Sequence, residues 1–213
     1  MSKIWTRNYD NLFSALFGTF GSKGTSSAAA PTYEYPCIKD ATGVYRTAND
    51  LYTIGGAGRV AGALSINTIN GYLTNESESH EHYDVSTPCD NFIQVGSGNG
   101  EVSKDDYRLF LSAKSNFALG TVKKSWTYND STHEYTKTFK IPIIYSGATD
   151  IIITEFGIFS ILPDGTISNH GGHFYMMYHE FLDNPITLTE NDTIEINFSQ
   201  SIVQPNYTPY PSE

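Results

Sequence analysis

Residues 149–160, T-D-I-I-I-T-E-F-G-I-F-S, are apolar on both faces at a period of two, through Ile151, Ile152, Ile153, Phe156, Ile158 and Phe159. A half-buried strand would alternate instead. β-Branched and aromatic enrichment favours a strand over a buried helix, as do Ser146-Gly147 before the run and Pro163-Asp164-Gly165 after it. A strand covered on both sides belongs in the middle of a packed sheet. Two residues break the pattern. Glu155 must be paired, hydrogen-bonded or protonated there, and Gly157 predicts a bulge or the close approach of another backbone.

Shorter patterns surround this run. Residues 91–95 read as a strand, followed by the turn G-S-G-N-G at 96–100. Ser103 is placed to cap one helical turn. Residues 120–128 and 133–144 form a hairpin about N-D-S-T, with Tyr135, Lys137, Phe139 and Ile141 on one face and Pro142 marking an edge position or strand end. Residues 173–181 read as a strand, Asp183-Asn184-Pro185 as a turn, and 186–189 with 193–199 as a last hairpin. With an edge strand within 44–54, about eight strands lie between residues 45 and 199. The fold class is therefore all-β, an antiparallel β-sandwich.

The ends differ from this middle. Trp5, Tyr9, Leu12, Phe13, Leu16, Phe17 and Phe20 fall on one face of a helix of about four turns, ended by Gly18 and Gly21. The stripe has two destinations, its own domain or a neighbouring subunit, and we assign these seven residues to partner docking. Residues 18–32 are rich in Gly, Ser and Ala and read as a linker. The chain divides into a helix and linker arm at 1–32, a β-domain at 33–202, and an extended tail at 203–213 with three prolines and two tyrosines.

Composition narrows the function. The chain has 213 residues and a net charge of −10, and no basic run is longer than Lys123-Lys124. Such a surface repels phosphate backbones, so no nucleic-acid partner is expected. Charged residues are only 17% and aromatics 14%, so the polar surface is largely Ser, Thr, Asn and Gly. No run approaches a transmembrane helix and the N-terminal helix lacks a basic face, so no membrane partner is expected. Without a secretory pattern, the five N-x-S/T sequons read as chance, and synthesis in a cytoplasm follows. Two cysteines, Cys37 and Cys89, do not make a disulfide scaffold.

Candidate chemistry is sparse. His80, Glu81, His82 and Asp84 offer imidazole and carboxylate, but the second half of H-E-x-x-H is missing and a solvated loop is the simpler reading. Gly55-Gly56-Ala57-Gly58 lacks the Lys-Ser/Thr of a phosphate loop. His170 and His173 flank two glycines and read as loop-end residues. No nucleophile elbow is present, and Glu155 is too deep for glycosidase work. We expect no catalytic residues, no metal and no cofactor.

From about residue 92 to 198 the order of features is V-G-S-G-N-G, D-D-Y-R-L, G-T-V-K-K-S, I-I-I-T-E-F-G-I-F, a strand ending His179-Glu180-Phe181, and N-P-I-T-L-T-E-N-D-T-I-E-I-N-F. This series resembles small virion structural proteins of tailed bacteriophages. The resemblance covers half the chain and nothing before residue 90. It implies a β-sandwich located in the virion, assembling with itself and with other virion proteins at the neck, tail or baseplate, or else as a head decoration or head-fibre protein. In that pattern an arginine often precedes the P-I-T-L hairpin; here the equivalent residue is His179. We therefore expect Glu155 and His179 to form a buried structural pair on adjacent strands, within about 6 Å. A carbohydrate-binding module is the alternative, because fifteen tyrosines and Trp126 offer sugar-stacking faces, and a host glycan is its partner.

Overall fold

A computed structural model describes residues 2–17, 37–47, 63–75, 90–163 and 172–203. Strands take up 56% and helix 7% of these residues, so the protein is all-β. In chain order the elements are β1 (Ser2–Trp5), α1 (Arg7–Phe17), β2 (Cys37–Lys39), β3 (Tyr45–Thr47), β4 (Gly71–Tyr72), β5 (Asn91–Gly96), β6 (Phe117–Leu119), β7 (Lys123–Asn129), β8 (Glu134–Tyr145), β9 (Ile151–Pro163), β10 (Gly172–Leu188) and β11 (Thr193–Val203).

The strands form a five-stranded sheet in the order β1-β10-β9-β5-β4, a four-stranded sheet in which β8 lies between β11 and the pair β6 and β7, and a β2-β3 ribbon. The larger sheet is mixed rather than wholly antiparallel, because β4 runs parallel to β5. The doubly apolar run is β9, the middle strand of that sheet. Ile153, Phe156 and Ile158 join an apolar cluster with Phe139, Ile141, Ile143, Ile194, Ile196 and Phe198 of the other sheet. Phe159 and Ile161 serve a second cluster with Leu73, Leu109, Phe174 and Met176. Both faces of β9 are thus covered, which is why its sequence does not alternate. At Gly157 the ladder is regular, and side chains rather than backbone approach: a Cβ there would meet Phe159, Met176 and Leu109 at 3.0–3.2 Å.

Two expectations change in the strands. Asp183-Asn184-Pro185 is not a turn between strands but lies within β10, where a register shift between Phe181 and Ile186 accommodates the extra residues. Pro142 lies inside β8, a strand paired on both sides. Its missing N–H is tolerated because it faces the break between β6 and β7, where Gly120 N–H donates to Pro142 O at 2.8 Å.

Residues 2–12 pack on the β-domain. Ser2–Trp5 adds as an edge strand to β10, and the helix begins only at Arg7. Trp5 packs on Tyr9, Tyr178 and Phe198, with ring centroids 4.3, 5.1 and 5.8 Å away. Leu12 is buried against Ile38, Ala63, Leu64, Leu162, Tyr175 and Met177, and Tyr9 packs at the margin of that cluster. Thr6 Oγ1 donates to Met176 O at 2.6 Å, and Asn8 Nδ2 donates to Lys39 O at 2.8 Å. Trp5, Tyr9 and Leu12 are therefore spent on the protein's own core, which corrects their assignment to partner docking. Phe13, 49% exposed, remains outward. Leu16 and Phe17 lie in the last turn of α1, and Phe20, the linker and the tail beyond Val203 lie outside the described residues.

Candidate functional site

β9 carries Glu155 in its middle, and β10 carries His179 beside it, opposite Gly157. His179 Nε2 lies 2.9 Å from Glu155 Oε2, inside the 6 Å limit set by the sequence argument. Both side chains are completely buried. A third member comes from the polar loop before Leu109: Asp106 Oδ2 lies 2.7 Å from His179 Nδ1. With both ring nitrogens facing carboxylates, His179 satisfies both as an imidazolium, donating to Asp106 and to Glu155. Burial by itself would lower the His179 pKa, but the bonds to Asp106 and Glu155 outweigh it and hold the pKa above the ordinary histidine value. Burial likewise opposes charge on Glu155, yet the bond from His179 and the N–H groups of Leu111 and Phe110 hold its carboxyl below the ordinary range.

Glu155 also gathers backbone. Its Oε1 accepts from Gly98 N–H and Leu111 N–H, each at 2.9 Å, and its Oε2 accepts from Phe110 N–H at 3.1 Å. The next residue back, Thr154, donates through Oγ1 to Gly98 O at 2.6 Å. The glycines are required by this approach. A Cβ on Gly96 would come within 2.6 Å of Glu155 Oε1 and of Leu111 O, and one on Gly98 would collide with the carboxylate itself. Phe110 and Phe181 flank the imidazole, with centroids 5.6 and 5.3 Å from it.

The loop bearing Asp106 is tied in turn to the N-terminus. Ser103 caps a turn rather than a helix: Asp106 Oδ2 accepts from Ser103 N–H at 2.8 Å, and Ser103 Oγ accepts from Asp105 N–H at 3.2 Å. Arg7 pairs with Asp105 at 2.5 Å and Lys104 with Asp10 at 2.6 Å. The shallow pocket beside them is lined by Arg7, Asn8, Lys39, Tyr45 and residues 104–106, where cations and carboxylates already face one another.

The cluster is closed. Every polar atom of Glu155 and His179 is occupied within the chain, and neither side chain reaches solvent. An arrangement of this kind pins segments together; it leaves no open position for a reacting atom. The sequence pointed to Glu155 and His179 but missed Asp106, since nothing in S-K-D-D-Y-R distinguishes the buried aspartate from Asp105 beside it.

A second buried ion lies in the other sheet. Lys137, on the apolar face of β8, donates through Nζ to Ser65 O and to Asn67 Oδ1, the latter at 3.2 Å. Trp126 lies over it, 5.0 Å from Nζ to the ring centroid. Burial, with Lys124 nearby, lowers its pKa to about 8. Beyond Lys137 that face opens to solvent: Trp126 is 55% exposed, and Tyr128 and Tyr135 stack 4.4 Å apart.

Among the described residues, no group of three or more His, Cys, Asp or Glu side chains is arranged to hold a metal ion. The glycine cluster at 55–58, the His80 to Asp84 stretch, His170 and Cys89 lie outside the described residues. Comparison with protein-family models, with curated proteins and with solved structures finds no significant match to this chain.

Proposed function

We propose that this protein is a non-enzymatic structural component of a tailed-phage virion, built as a β-sandwich and assembling with itself and other virion proteins at the neck, tail or baseplate. The observation that carries the reading is the convergence at Glu155. The V-G-S-G turn supplies Gly98, the D-D-Y-R-L loop supplies Asp106, and Phe110 and Leu111 follow it directly. The I-T-E-F-G-I-F strand supplies Glu155, and the strand before P-I-T-L supplies His179. Motifs scattered along the second half of the sequence thus meet in one physical feature of this chain, which supports reading the series as a unit. The sandwich itself is supported by the apolar cluster that β5, β9 and β10 share with β8 and β11. Head decoration or head fibre are other locations for the same subunit.

The test is mass spectrometry of density-purified particles with immunogold labelling. The protein is expected at a fixed copy number in intact particles and at one location on them; its absence from particles overturns the reading. The exposed Trp126, Tyr128 and Tyr135 favour glycan binding as the second reading. A glycan array probed with the wild type and Trp126→Ala separates it: binding lost in the variant supports a sugar site, and no binding removes it.

A further inference from the structure

Among the described residues the four-stranded sheet has two open sides, and they are defended unequally. On one side, β7 presents Lys123 and Lys124, the kind of charge that blunts a sheet edge. On the other lies β11, eleven residues long, paired to β8 in a single unbroken register and without a partner on its other side among the described residues. It has no proline, no lysine and no bulge. Of the chain's 23 acidic residues it carries one, Glu195, which sits 3.6 Å from Lys140. Its last two residues are exposed aliphatics, Ile202 at 57% and Val203 at 62%.

The ladder fixes which backbone groups face outward. Tyr145 N–H donates to Asp192 O, in register with the β8-β11 pairing. Hydrogen-bonded positions alternate along an antiparallel pair, so Ile194, Ile196, Phe198 and Gln200 spend their N–H and C=O groups on β8. Those of Glu195, Asn197, Ser199 and Ser201 point away from the sheet.

We propose that β11 is a homotypic edge: a second copy of this chain pairs its own β11 antiparallel to it about a twofold axis at Phe198. In that register Asn197 faces the second copy's Ser199, and Glu195 faces its Ser201. No like charges are opposed, which matters for a chain of net charge −10. Ile202 falls opposite the second copy's Ile194 on the apolar face, covering a side chain that the monomer leaves in water. The pairing is isologous and closes at two subunits. A single strand edge is a small contact, so the dimer dissociates on dilution. The inference stands on the edge alone and does not need the virion reading; where that reading holds, it names the surface by which the protein assembles with itself.

Sedimentation velocity of the full chain across concentration, with amide hydrogen exchange, tests it. The dimer fraction is expected to rise with concentration. The amides of Glu195, Asn197, Ser199 and Ser201 should become protected in step, while those of Ile194, Ile196 and Phe198 are protected throughout. Ser199→Pro removes an outward N–H and leaves the β8 ladder intact, and it should weaken dimerisation about tenfold or more, because the twofold axis makes each variant dimer lose two ladder bonds. A wild type that stays monomeric, or a dimer whose outward β11 amides exchange at the monomer rate, overturns the proposal. The exchange measurement on the wild type decides even if the proline variant folds poorly. Presence in particles is a separate readout, so failure of one reading is distinguishable from failure of the other.

Discussion

Glu155 and Lys137 are both charged side chains taken out of water by a β-sheet, one in each sheet, and the two sites meet the cost differently. Glu155 lies in a strand covered on both faces, so nothing but the protein can satisfy it. It has an imidazolium and three backbone N–H groups, and the imidazolium has a second carboxylate. Lys137 lies where the sheet begins to open. It has a carbonyl, an amide oxygen and the ring of Trp126, and no carboxylate bonds to it among the described residues. The consequence is visible in the protons: the charged form is favoured at Glu155 and His179 and disfavoured at Lys137. A fully covered strand tolerates charge only within a paired, fully hydrogen-bonded cluster; a half-covered one tolerates a lone ammonium by making it easier to deprotonate.

The sharpest way to break this contrast is Glu155→Gln. It strands the His179–Asp106 pair and weakens the grip on Gly98, Phe110 and Leu111, and it should cost about 3–5 kcal/mol in denaturant unfolding, as breaking a buried pair does. It should also flatten the pH dependence. In the wild type the His179 contribution is full below the ordinary histidine value of 6.5 and is lost as pH rises through its raised pKa. The Glu155 contribution is full above its ordinary 4.5 and is lost as pH falls through its lowered pKa. The cluster is therefore strongest between those two values, and melting temperatures followed against pH should show both flanks only in the wild type.

Gly98→Ala attacks the same site from the loop side. The added methyl collides with the carboxylate, so a loss of about 1–3 kcal/mol is expected from overpacking, read in denaturant unfolding. Lys137→Met should do much less. Removing the ammonium leaves Ser65 O without that donor but ends the desolvation of a charge, so a net change within about 1 kcal/mol is expected. Its signature is in the pH profile. Lys137 has a pKa of about 8 folded against 10.5 ordinarily, so its share of stability rises as pH climbs between those values, and the variant should lose that rise. Trp126→Ala, on the exposed rim, should change stability by no more than about 0.5 kcal/mol and serves as the baseline for the series.

The residues that announced this arrangement are those that broke a pattern. A carboxylate inside a doubly apolar run could not be ignored, whereas His179 became its expected counter-ion only through the resemblance, which puts an arginine at that position. Lys137 was visible in the same way, by sharing a face with Phe139 and Ile141. Asp106 gave no such signal because it sits in a polar loop, where one more aspartate breaks nothing. Trp5 misled for a related reason: its spacing to Tyr9 and Leu12 fits a helix stripe, so a four-residue strand at Ser2–Trp5 was hidden inside a helical period. Asp183-Asn184-Pro185 has turn chemistry, and only the partner strand β9 reveals that the chain continues through it. Local pattern reports which side chains must be buried; it does not report which edge they are buried against.

The geometry holds His179 as an imidazolium between two carboxylates. The most direct measurement is the nitrogen chemical shifts of the His179 side chain by NMR at pH 7.5, a pH at which an ordinary histidine is mostly neutral. Two protonated ring nitrogens are expected, with Nδ1–H donating to Asp106 and Nε2–H to Glu155. A neutral ring with one bare nitrogen at that pH would contradict it.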